Sequence, residues 1–76
     1  MDKVSCLSFL IYDEATTDEV RRVAKMLLIG DVTLKQVQNM VVCYSAFEAA
    51  TKRFKNGDID KHKLFKFIEE NIYSLE

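Results

Sequence analysis

The sequence predicts an all-α fold, a compact three- to four-helix bundle, on three observations. The 76 residues hold two glycines and no proline, which excludes a linker, a β-sandwich and a disordered segment. A stretch of the form Gly-Asp-aliphatic-Thr/Asp occurs twice, at Gly30-Asp31-Val32-Thr33 and Gly57-Asp58-Ile59-Asp60. Apolar residues recur at helical spacing through most of the chain. A chain of this length is one domain, 1–76, with a marginal core.

The first segment, 3–12, reads as a helix because Val4, Leu7, Leu10 and Ile11 share a helical face. Its β-branched and aromatic content makes a strand the alternative, and a lone strand would dimerise through its open edge. Thr16 followed by Glu19 reads as a capping box that opens a second helix over about 17–29. Val20, Val23, Ala24, Leu27 and Leu28 form its inward stripe. Gly30 and Gly57 read as left-handed helix stops. Each is followed by a cap, Thr33 or Asp60, and by a staple, Val32 on Val37 or Ile59 on Leu64.

Between the two stops the sequence predicts one long central helix, about 34–55. Val37, Met40, Val41, Tyr44, Phe47 and Phe54 make its stripe. The segment MVVCYSAF is apolar almost all round, which suits the centre of a bundle or an interface. The last helix, about 60–74, is expected to turn Leu64, Phe65, Ile68 and Ile72 inward and to leave Phe67 and Tyr73 off that stripe.

Chemistry-bearing patterns are sparse. Cys6 and Cys43 form no CxxC and have no second cluster of Cys and His, so they read as buried small hydrophobes, with no metal site. The NGDIDKHKLFKFI stretch is similar to half of a calcium-binding loop. Taking Gly57 as loop position six, however, puts Lys52 and Lys63 at ligand positions one and twelve, where two cations repel calcium. His62 is the only histidine and reads as exposed between Lys61 and Lys63. Nucleophile–base pairs, phosphate loops and dinucleotide signatures are absent from the pattern. The expectation is a non-enzyme with no cofactor and no metal.

Charge and aromatics carry the functional reading. The net charge is −1, but Lys52, Arg53, Lys55, Lys61 and Lys66 gather in the second half as a candidate basic patch. The acids Asp13, Glu14, Asp18 and Glu19 gather in the first half. A pI near 5.8 argues against direct nucleic-acid binding. Phe9, Tyr12, Phe47, Phe67 and Tyr73 exceed what a small core can hold. Tyr44, Phe47, Glu48, Phe67 and Tyr73 form the candidate interface, since aromatics are frequent hot spots. No stretch reaches the length of a membrane span, and a cytoplasmic address is expected.

The order of elements resembles the small haemolysin-expression modulators of enteric bacteria. The resemblance rests on Thr16 and Asp18 at the opening of the second helix, Tyr44-Ser45-Ala46 in the long third helix, and Lys66-Phe67-Ile68 near the end. Glu48 stands where that family has Asp. Aligning Tyr44 needs a one-turn insertion before it and a matching deletion after it, and the family's arginine-rich first-helix positions are missing. The resemblance implies a four-helix protein that binds a nucleoid silencer and adjusts its repression.

The expected function is a protein-binding regulator or adaptor that occupies a partner protein's surface, of the kind phages and mobile elements encode, with a homodimer as a further expectation. The alternative, from the resemblance, is a nucleoid-associated modulator acting with a DNA-binding partner.

Overall fold

The computed structural model describes residues 2–72. Its elements are α1 (Lys3–Glu14), α2 (Asp18–Ile29), α3 (Leu34–Gln38), a 3₁₀ turn (Val41–Cys43), α4 (Tyr44–Lys55) and α5 (Lys61–Ile72). Among the described residues there is no strand, so the fold is an all-α bundle.

The N-terminal segment is a helix because its start is capped and its sides are all covered. The Ser5 amide donates to Asp2 Oδ1 at 2.7 Å, which satisfies one of the unpaired donors of the first turn. Every residue from Cys6 to Ile11 is buried, because α1 lies between α2 and α4 and also touches α5. A helix that is apolar all round belongs in the middle of a bundle, and here that helix is α1. Ser8, fully buried within it, donates its hydroxyl to the Val4 carbonyl at 2.7 Å.

Both glycine stops form. Gly30 and Gly57 take φ of 89° and 70°, the left-handed region that costs a Cβ-bearing residue energy. The Asp31 amide donates to the Met26 carbonyl at 2.8 Å, and the Asp58 amide to the Arg53 carbonyl at 2.9 Å. These six-to-one bonds close a Schellman motif at each stop. The Thr33 capping box with Gln36 is complete. Asp60 Oδ1 accepts from the amides of His62 and Lys63. Val32 and Ile59 pack half-buried on the core beside them.

Three expectations change. The cap of α2 is Thr17, whose hydroxyl accepts from the Val20 amide at 3.3 Å, and not Thr16. That choice puts Asp18 and Glu19 in the first turn, where the helix dipole favours acids.

The long helix over 34–55 is interrupted. Asn39 ends α3, Met40 is extended, and α4 restarts after the 3₁₀ turn. In an unbroken helix, at about 100° per residue, Val37 and Ala46 would face opposite ways. The core buries Val37 together with Cys43, Ala46 and Ala50, so the chain must re-aim between them. The β-branched pair Val41-Val42 gives up little helix propensity there. As a consequence Val41 and Tyr44, expected on the inward stripe, are on the outside.

In α5 the buried residues are Leu64 and Phe67, while Phe65 is exposed. Phe67, expected off the inward stripe, lies 5.8 Å from the ring of Phe9 and 4.9 Å from that of Tyr12. This tilted trio joins α5 to the central helix, a geometry aromatic pairs favour.

Candidate functional site

The outer face of α4 holds the site. Counting by threes and fours from Tyr44 gives Phe47, Glu48, Thr51, Lys52 and Lys55, one continuous surface stripe. With Gln38 at the end of α3, these residues line an open groove of about 420 Å³. With Met40 extended between them, the end of α3 and the start of α4 line the groove together.

The groove has an apolar end and a charged end. At the apolar end Tyr44 is 65% exposed and Phe47 half-buried. Next to it, on the 3₁₀ turn, Val41 is 91% exposed and Val42 45%. Single exposed hydrophobes are ordinary on a protein surface; here Val41, Val42 and Tyr44 are near neighbours in the chain beside one groove. At the other end stand Lys52 and Lys55, with Glu48 between the two halves. Glu48 and Lys52 are spaced for an ion pair along the helix, yet neither they nor Lys55 has an ion-pair partner among the described residues. Thr51 donates its hydroxyl to the Phe47 carbonyl at 2.8 Å, which leaves the middle of the groove without a free hydroxyl donor.

The remaining sequence-predicted residues lie elsewhere. Arg53, beside Lys52 in sequence, points to the other side of α4. It contacts Asp13 and Glu14 at the end of α1 and Asp58 in the loop before α5. Those carboxylates, Asp13 first, raise its already high proton affinity. Lys66 lines a hollow with Lys25, Lys63 and Tyr12. Lys61 lines a third hollow with Cys6 and Phe65. Phe67 is core, and Tyr73 lies outside the described residues. Gln38 and Thr51 line the groove without having been singled out, and Val41 and Val42, read as part of the apolar MVVCYSAF segment, are exposed just before it. Helical spacing from Tyr44 would have found Thr51, but Gln38 reaches the groove only through the chain break.

Chemically the groove offers apolar contact and charges of both signs. Cys43 is fully buried, and burial, with Glu19 adding to it, pushes its thiol up. His62 is exposed on α5. No three His, Cys, Asp or Glu residues among those described could hold a metal together. No described helix is long and apolar enough to cross a membrane.

No family model, curated protein or solved structure matches this chain.

Proposed function

We propose that this chain is a non-enzymatic protein-binding domain, a regulator or adaptor that acts by covering part of a partner protein's surface with its α4 face. One observation carries the reading: Val41, on the 3₁₀ turn that leads into α4, is 91% exposed, three residues before the exposed Tyr44 that lines the groove. An apolar rim, an adjacent aromatic and a charged margin are the composition of a small docking surface. Two free, buried cysteines suit the reducing cytoplasm.

The test is a photo-crosslinking amino acid placed at Tyr44, with a control at Arg22 on the exposed side of α2, in cells that make the protein. Tyr44 should yield discrete adducts that Val41→Asp removes, and Arg22 should not. Equal adducts from both positions, or none from Tyr44, would overturn the reading.

The unpaired Lys52 and Lys55 support a second reading, in which the partner is bound to nucleic acid and these lysines reach phosphate beside it. Titrating salt against duplex-DNA binding tests it. Affinity that drops steeply with salt supports it, and no binding at low salt ends it.

A further inference from the structure

We infer that the α4 groove accepts a second copy of this chain, with the two α4 helices antiparallel across a twofold axis. This rests on the α4 face being the docking surface, and it names one occupant of it.

The argument is the order of groups along the stripe. From the N-terminal end it runs Tyr44, Phe47, Glu48, Thr51, Lys52, Lys55. A twofold interface puts one surface against itself reversed, so residue i meets j while j meets i. A twofold axis level with Ala50 sets Glu48 of one copy against Lys52 of the other. The same operation gives the reciprocal pair and brings each Tyr44 ring beside a Lys55 ammonium, which a ring face attracts. Thr51 falls beside the axis, and Phe47 lies about one turn from it. Glu48 and Lys52 then each face an opposite charge, and neither has an ion-pair partner among the described residues of the single copy.

A foreign acidic helix fits less well, because it would satisfy Lys52 and Lys55 but meet Glu48 one turn before them. The small net charge of −1 adds little repulsion between copies. α4 has twelve residues, about 18 Å of helix. With the Val41–Val42 rim, that contact falls below the ~800 Å² per partner of a standard interface. The dimer is therefore weak and concentration-dependent, and dissociation exposes the face that other partners would use.

Sedimentation equilibrium on the purified chain tests this, with Glu48→Lys, Lys52→Glu and the double variant. Wild type should self-associate more weakly as salt rises. Each single variant places like charges together twice per dimer and should weaken association about tenfold. The double variant restores opposite charges and should return most of the loss. Both substituted positions are exposed, and unchanged helical circular dichroism confirms that the chains are folded.

A wild type that stays monomeric overturns the inference, as does a dimer indifferent to both single variants, or single losses that the double variant does not recover. A monomer that still gives Val41-dependent adducts at Tyr44 with another protein removes the dimer and leaves the docking surface in place. Loss of both results removes both.

Discussion

Arg53 Nη1 donates to Asp13 Oδ2 at 2.7 Å, tying the last turn of α1 to α4 across 40 residues of chain. The same guanidinium donates from Nε to the Asp58 carbonyl at 3.3 Å and lies 3.8 Å from Glu14. Asp13 and Glu14 stand at a helix C-terminus, where the dipole disfavours acids. Arg53 offsets that repulsion and also closes the loop that leads into α5. Its side chain is 21% exposed, so the interaction is screened less than a free surface pair.

Arg53→Ala should therefore destabilise the fold by about 1–2 kcal/mol, read as a lower urea midpoint with an unchanged slope. Arg53→Lys should recover only part of this, because an ammonium lacks the planar fork that reaches several acceptors. Asp13→Asn, at a more exposed group, should cost less than Arg53→Ala. Equal stability of Arg53→Ala and wild type would show that the cluster is incidental.

Core and rim should respond oppositely. Leu10 is fully buried in the central helix. Leu10→Ala should cost about 3 kcal/mol, a large share of what so small a domain has. Val41→Asp removes a comparable side chain from the 3₁₀ turn and should change stability by less than about 0.5 kcal/mol. Thermal melts of the two variants separate these cases. A large loss from Val41→Asp would place Val41 in the core and remove the apolar rim.

The glycine stops give a cleaner backbone measurement. At Gly30 and Gly57 an added Cβ would meet nothing within 4 Å, so a substitution feels only the left-handed φ. Gly30→Ala should cost about 1 kcal/mol, and Gly30→Asn less, because Asn visits that region more readily. Identical midpoints for the two variants would mean that the helix end relaxes out of the motif.

Those stops were legible in the sequence because each is local: a glycine, a cap three residues later, and an aliphatic pair five apart. The interruption at 39–43 was not. Val37, Val41 and Tyr44 share a helical face as convincingly as Cys43, Ala46 and Ala50 do. Only the position of α1 decides which set is buried. α1 was itself hard to read, since a helix apolar on every side lacks the periodicity that marks a surface helix. The groove residues show the same divide. Tyr44, Phe47, Glu48, Lys52 and Lys55 were readable as aromatic and charged candidates, but as two separate groups. The turn of α4 places them on one stripe, and Gln38 joins through the break at Met40, which depends on tertiary packing.

Burial of Cys43 predicts a pH dependence. Its thiol is pushed up by desolvation and by Glu19, so the folded state holds the proton more tightly than the unfolded state does. The unfolded thiol ionises from about pH 8.5 upward, and the folded state then binds more protons. Its stabilising contribution is full below that pH and is lost as pH rises. Cys43→Ala should flatten the alkaline part of the stability curve. In the native protein at pH 8, alkylation of Cys43 should wait on opening of the structure. Immediate labelling at the rate of a free thiol would contradict its burial.

The broken helix should also open unevenly. α4 presents Ala46 and Ala50 to the core and lies along α1. The 39–43 stretch contributes only Cys43 to full burial and holds Met40 and Cys43 through single i-to-i+3 bonds of 3.0 Å, to Val37 and Met40. Segments with few buried contacts open at lower free energy than the global transition. Amide exchange should therefore be faster at Met40 and Cys43 than in the middle of α4 and α1. Docking on the α4 face covers Val41 and Val42 and should slow exchange in the 3₁₀ turn more than in α2. Uniform protection from α3 through α4 would mean that the chain is one continuous helix in solution, and Val41 would then return to the inward stripe.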